Sequence, residues 1–112
     1  MSFYGAEKVV ESYNLMGPVK AALEAATRKL AAELGPRNIT VNALSPGRMA
    51  TRAASGIANF NELWTTRWPA RRSVAARPIE DVGTAVAFLA NDLARNITGG
   101  VHYIDAGRHI MS

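Results

Sequence analysis

The chain has 112 residues, a formal net charge of +4, 48% hydrophobic and 20% charged residues. A globule of this size buries roughly 65% of its unfolded surface, so disordered and fibrous classes are excluded, as is an enzyme with separate cofactor and substrate domains. There is no cysteine, which removes disulfide frameworks, thiolate nucleophiles and Cys-ligated zinc; Met1-Ser2-Phe3-Tyr4 is no charged-then-apolar leader, and no apolar run nears the roughly 20 residues of a membrane span, so a cytoplasmic protein without membrane contacts is expected.

In chain order, the first clear element is a helix over about Pro18 to Leu34. Val19, Ala22, Leu23, Ala26, Leu30 and Leu34 form one apolar stripe at helical spacing, with Glu24, Arg28, Lys29 and Glu33 facing elsewhere. Gly35-Pro36 stops it. Ile39 to Leu44 is short and apolar, bounded by Pro36 and by Ser45-Pro46-Gly47, as suits a strand buried in a sheet. A second helix is predicted from about Ile79 to Leu93, with Glu80 and Asp81 at its positive end and Val82, Val86, Leu89 and Leu93 turned inward. Thr98-Gly99-Gly100 leads to a last strand, Val101 to Asp105, closed by Ala106-Gly107. Strand, helix and strand imply a right-handed parallel crossover. The crossover takes 56 residues, Ser45 to Gly100, of which only the one helix is obvious. Its excess, about Arg48 to Arg77, leaves the carboxyl end of the first strand, where open parallel sheets bind ligands.

That excess also holds the charge. Residues 48–77 carry six arginines against Glu62 alone, while the remainder has seven basic and eight acidic residues. A neutral scaffold with one basic insert suits an anionic partner: a phosphorylated cofactor, an acidic carrier protein or, less well, a nucleic acid. Phe60, Trp64, Trp68, Ile57 and Leu63 interleave with the arginines, so the insert is expected to form short amphipathic helices over an apolar pocket, or else simply to anchor on the body. No nucleic-acid motif accompanies the charge. His102 and His109 stand alone in sequence and are read as surface residues of the last strand and tail, so no metal site is expected.

Tyr13 and Lys20 are the residues with chemistry. Seven positions turn a helix by roughly 700°, close to two full turns, so a continuous helix would set phenol and ammonium on one face; Pro18, unless in the first turn, leaves the stretch from Tyr13 to Gly17 irregular. An ammonium nearby lowers a phenol's pKa from about 10 by one to three units, which still leaves it protonated at neutral pH. Such a neutral donor aimed at a developing enolate oxygen contributes about 2.7–4 kcal/mol. Tyr4-x3-Lys8 is a second pairing of the same residue types.

These residues sit in a longer pattern. Phe3-Tyr-Gly-Ala-Glu-Lys-Val-Val-Glu-Ser-Tyr-Asn-Leu-Met-Gly-Pro-Val-Lys20, Ile39-Thr-Val-Asn-Ala-Leu-Ser-Pro-Gly47, Thr51-Arg-Ala-Ala-Ser-Gly-Ile57, Glu80-Asp-Val-Gly83, Ala87-Phe-Leu89, Ile97-Thr-Gly99 and Tyr103-Ile-Asp105 together resemble the C-terminal portion of bacterial enoyl-acyl-carrier-protein reductases, within the short-chain dehydrogenase/reductase superfamily. The resemblance implies an α/β fold: the C-terminal part of a Rossmann-like parallel sheet with flanking helices, a strand–helix–strand core plus a helical substrate-loop insert. Residues 1–112 would be one partial domain, with the active-site helix at 12–35, the substrate and cofactor insert at 48–77, and helix plus last strand at 79–107. It further implies reduction of trans-2-enoyl thioesters on acyl carrier protein, in fatty-acid biosynthesis, with NADH or in some members NADPH, by a homo-oligomer that is usually a tetramer.

Carried over by position, the resemblance makes Tyr13 the donor to the thioester carbonyl, Lys20 the holder of the nicotinamide ribose, and Phe3 a second active-site aromatic. Met49, Ala50, Thr51, Arg52 and Ala53 match the cofactor-contacting stretch, and Ala53, Ile57 and Phe60 would line the acyl channel with Phe3 and Tyr13. Four positions before Lys20 stands Met16, so the Tyr-x3-Lys spacing of the ketoreductases in the superfamily is not met there. None of the nine glycines forms a G-x-G-x-x-G cluster opening a helix, the turn on which Rossmann folds seat a pyrophosphate. The expectation is therefore a truncated reductase that binds NADH weakly or not at all by itself. The alternatives are a non-catalytic module that docks on an intact reductase, another short-chain dehydrogenase/reductase, and, last, a basic nucleic-acid binder.

Overall fold

The computed structural model describes residues 1–47, 49 and 79–110. Among these residues, two α-helices, α1 (Met16–Leu34) and α2 (Ile79–Leu89), accompany two strands, β1 (Ala43–Pro46) and β2 (Val101–Ile104), which pair in parallel. The register sets Ala43 against Val101, Leu44 against His102, Ser45 against Tyr103 and Pro46 against Ile104. Short 3₁₀ turns lie at Tyr4–Ala6, Gly35–Arg37, Asp92–Ala94 and Arg108–Ile110. The expected insert lies outside the described residues, Met49 excepted.

β1 starts later than the Ile39–Leu44 run predicts and continues through Ser45 and Pro46. Side chains take over the segment before it. Val41 N donates to Thr98 Oγ1 at 3.0 Å, and Asn42 Nδ2 donates to the Ile97 carbonyl at 2.8 Å. The Asn42 Oδ1 in turn accepts from Gly100 N at 3.3 Å and lies 3.1 Å from His102 Nε2; with a carbonyl oxygen opposite it, the imidazole nitrogen is the donor. His102 is thus a strand-pairing residue rather than an isolated surface one. Pro46 is tolerated because Ala43 and Gly47 point their amides at β2, donating to the Gly100 and Ile104 carbonyls. The even-numbered positions face the other edge, and there a missing N–H breaks no ladder bond.

That other edge is not bare. Ser2 N donates to the Leu44 carbonyl at 2.6 Å, and the Ser2 hydroxyl donates to Glu24 Oε1 on α1. One serine therefore ties the amino-terminal stretch to both the sheet and the long helix, and this corrects the reading of α1. Its inward face is Gly17, Glu24, Thr27 and Ala31, not the apolar stripe. Val19, Leu23 and Leu30 are 53%, 36% and 43% exposed, while Glu24 is 5% exposed. The cause is steric as well as polar: a Cβ on Gly99, ahead of β2, would stand 3.5 Å from the Ala31 methyl, and one on Gly17 would stand 2.8 Å from the Gly5 carbonyl oxygen, so small side chains or ones with a hydrogen-bond partner suit this face. Thr27 settles its hydroxyl on the Leu23 carbonyl at 2.9 Å.

α1 begins at Met16, which puts Pro18 in the first turn, where no N–H is needed. It ends at Leu34, and after the Gly35–Arg37 turn Asn38 takes the left-handed conformation at φ 59 and donates to the Gly35 carbonyl at 2.8 Å. α2 carries Glu80 and Asp81 in its first turn, as expected, but stops at Leu89 rather than Leu93. Asn91 is extended and its side chain accepts from Leu93 N at 2.9 Å, so it caps a new turn, Asp92–Ala94, instead of continuing the helix. Of the expected inward stripe, Val82 is buried and Leu89 half-buried, whereas Val86 and Leu93 are exposed. The described core is Ala31, Ala43, Leu44, Val82 and Ala94.

Candidate active site

Tyr13 lies before α1, not on it. The helical argument for pairing it with Lys20 therefore fails, and a different element brings the two together. Phe3, extended at φ −159 and ψ 145, packs its ring at a 54° tilt against Tyr13 with centroids 5.0 Å apart, while Lys20 Nζ donates to the Met1 carbonyl at 3.0 Å. Phenol and ammonium thus grip the same amino-terminal segment two residues apart, about 7 Å along an extended chain.

The seat of Tyr13 is built from glycine and from backbone conformations that are rare outside glycine. A Cβ on Gly5 would stand 2.8 Å from the Tyr13 ring, so the ring lies directly on the Gly5 backbone, and Gly5 in turn rests its carbonyl on Gly17 of α1. On either side, Ser12 and Asn14 hold positive φ angles of 61° and 48°. Asn adopts this region readily and Ser less so, and such conformations persist only where the surroundings enforce them. The ring is half-buried, and burial raises the phenol pKa above its ordinary value of 10.0. The expected lowering by Lys20 is not found: burial is the cause of the shift, and it acts in the opposite direction. The chemical outcome is nonetheless a neutral donor at physiological pH.

Of the remaining predicted site residues, Met49 is half-buried just beyond β1. Ala50, Thr51, Arg52, Ala53, Ile57 and Phe60 lie outside the described residues. Among the described residues, no group of three or more His, Asp and Glu side chains stands together as a metal site.

Beside the predicted residues stands a second cluster. The buried Asp105 carboxylate, at the end of β2, accepts from Gly107 N at 2.9 Å and His109 N at 2.7 Å, and meets His109 Nδ1 at 3.0 Å. His109 stacks on Tyr103, centroids 3.8 Å apart and rings within 10° of parallel, so it is no isolated surface residue either. The Tyr103 hydroxyl is buried without a hydrogen bond of good geometry among the described residues. Burial first, and then the neighbouring Glu7 carboxylate, push its pKa up to about 12. Arg108, next in the turn, lays its guanidinium over the Tyr4 ring at 5.8 Å. The sequence carried one signal for this cluster: Asp105-Ala106-Gly107 is the pattern of a side chain that accepts from the N–H two residues on.

A parallel strand–helix–strand unit with a further helix is the C-terminal part of a Rossmann-like fold. A family model described as Enoyl-(Acyl carrier protein) reductase matches residues 1–109, and the chain belongs to that family. It is similar to enoyl-acyl-carrier-protein reductase (NADH) 1 of Rhizobium meliloti (strain 1021), 46% identical over 99% of this chain and 41% of the relative. It is similar also to the FabI enzyme of the same name from Haemophilus influenzae, 49% identical over 100% of this chain and 43% of the relative. Among solved structures, the Bacillus cereus enoyl-acyl carrier protein reductase with NADP+ and indole naphthyridinone superimposes with a TM-score of 0.87 at 41% identity, covering 99% of this chain and 43% of that one. The Aquifex aeolicus VF5 enoyl-acyl-carrier-protein reductase (NADH) gives 0.83 at 43% identity, with the same coverage. The chain spans about two fifths of the length of these relatives.

Proposed function

We propose that this chain supplies the phenol and amine half of an NADH-dependent reductase of trans-2-enoyl thioesters carried on acyl carrier protein, in fatty-acid biosynthesis. The observation that carries the reading is the convergence of Tyr13 and Lys20 on the segment Met1 to Phe3, in a chain whose relatives are named for that reaction. The donor set fits the nicotinamide end of the cofactor: an ammonium has three donors, and Lys20 uses one on the Met1 carbonyl, leaving two for ribose hydroxyls. The pyrophosphate end has no glycine-rich turn in this sequence. When bound, a reduced nicotinamide supplies the hydride for the β-carbon of the enoyl group. Tyr13 donates a hydrogen bond to the thioester oxygen as negative charge gathers there, and the tilted Phe3 ring packs against the phenol. Burial keeps the Tyr13 proton in place at neutral pH, so the donor is ready without a prior proton transfer.

The test joins the chain to the glycine-rich half of a relative and follows enoyl-thioester-dependent NADH oxidation. Tyr13→Phe is expected to cost about 10²- to 10³-fold in kcat, the worth of one oxyanion donor, and full activity in that variant defeats the role. The isolated chain is expected to bind NADH weakly or not at all in a tryptophan fluorescence titration. Saturable micromolar binding would show instead that the amine end suffices.

A second reading, a module that docks on an intact reductase or on copies of itself, draws on one feature: the outward apolar stripe of α1 at Val19, Leu23 and Leu30. Size-exclusion of the chain with and without a full-length relative separates the two, since docking without turnover supports the module alone.

A further inference from the structure

The cluster at the end of β2 has no part in the reading above, yet it reaches the same phenol. Asp105 fixes the turn that follows it through two backbone N–H groups and the His109 ring, and His109 is clamped again by Tyr103. That turn delivers Arg108, whose guanidinium lies over Tyr4. The Tyr4 ring meets Phe3 at 4.3 Å, and Phe3 meets Tyr13 at 5.0 Å. Four side chains in unbroken contact therefore run from the tail turn to the phenol. The Arg108 Nε is buried without a hydrogen-bond partner among the described residues, so the side chain is drawn into this position at a cost in solvation and is not simply extended into solvent.

We infer that Arg108 is a positioning residue for Tyr13, acting from the Asp105-fixed turn through the rings of Tyr4 and Phe3. The inference rests on the functional reading above for its purpose, but not for its test. The geometry makes a specific demand. A cation over a ring face holds that ring against lateral slip, so the charge at position 108 restrains Tyr4, and through Phe3 it sets which way the Tyr13 ring can tilt off Gly5. Beneath the Tyr13 ring lies the Gly5 backbone. A hydrogen-bond donor that must meet a small developing charge needs its angle fixed as well as its position, and one glycine surface fixes a plane but not an angle within it.

The experiment uses the 112-residue chain with ¹³C-labelled tyrosine. Its three tyrosines, 4, 13 and 103, are assigned by single Tyr→Phe variants. In Arg108→Leu the ring signals of Tyr4 and Tyr13 are expected to shift together, with displaced Tyr4 conformers enriched roughly two- to fivefold, the factor set by a part-exposed cation–π contact. Arg108→Lys, which keeps the charge, is expected to restore both. Tyr4→Leu interrupts the relay without touching the turn and must displace Tyr13 in the same direction, which keeps the test valid even if Arg108→Leu fails to fold. Tyr13 signals that stay put in Tyr4→Leu, or in a folded Arg108→Leu whose Tyr4 signals move, overturn the inference, as does a Lys variant that behaves like Leu. None of these readouts needs turnover, so an inactive chain with coupled tyrosines counts against the reductase reading alone.

Discussion

Adding one methyl group at Gly17 tests how the phenol is seated. A Cβ there would stand 2.8 Å from the Gly5 carbonyl oxygen, about 0.6 Å inside the 3.4 Å at which ordinary contact begins. The obstacle is backbone and cannot rotate aside, and Gly5 itself cannot retreat, because its own Cβ direction is filled by the Tyr13 ring. Overpacking of this kind costs about 1–3 kcal/mol. Against it stands the helix preference for Ala over Gly, at most about 1 kcal/mol, and less in the first turn of α1. Gly17→Ala is therefore expected to lose roughly 1–2 kcal/mol and to displace the Tyr13 ring. Gly83 in α2 gives the control, since no described residue lies within 4 Å of its Cβ direction; there the same substitution should gain about 0.4–1 kcal/mol. Urea unfolding followed by far-UV circular dichroism reads both as midpoint shifts of opposite sign at constant slope. A Gly17→Ala chain as stable as wild type, or a destabilised Gly83→Ala chain, refutes the packing argument.

Further tests follow from the strand-pairing side chains. Asn42→Ala strands the Ile97 carbonyl and the Gly100 amide at once, so a loss of about 1–3 kcal/mol is expected in thermal unfolding; an unchanged melting temperature would mean that water replaces the amide freely. The raised Tyr103 pKa has a defined sign. Below pH 10 the phenol is protonated in both folded and unfolded chains and contributes no slope; between pH 10 and about 12 only the unfolded chain has released the proton, so stability falls as pH rises. Tyr103→Phe should flatten that decline while leaving neutral-pH stability intact, as the hydroxyl makes no well-formed hydrogen bond among the described residues. A decline of equal steepness in the variant would assign it to other groups.

What could be read from the sequence was whatever depends on neighbours along the chain. The span of α1, its stop at Gly35-Pro36, the acidic first turn of α2 and the last strand follow from local pattern, and the parallel pairing follows from their order. The orientation of α1 did not. Its apolar stripe suggested an inward face, but which face turns inward is set by Gly5, Ser2 and Gly99, residues far off in sequence that approach too closely for Leu or Val. Asn91 defeated the length of α2 in the same way, by capping a turn that periodicity does not register. At the site, residue types and family pattern singled out Tyr13, Lys20 and Phe3. The route by which they meet, through the first three residues rather than along a helix, needed coordinates. Asp105 was read only as the end of the last strand, since its partners are backbone amides of the turn that follows, and Arg108 went unremarked because its partner is a ring about a hundred positions away.

The parallel ladder between β1 and β2 has a kinetic consequence. Its partners, Ala43 and Val101, are 58 positions apart, and closing a loop of that length costs roughly 3–4 kcal/mol of chain entropy before the first cross-strand bond forms. α1 faces no such barrier and can form in isolation from its own turns. The order of assembly that results is helix first, sheet last, with β1 waiting unpaired until the chain's far end arrives; at high concentration that interval is when neighbouring molecules would compete for its edge.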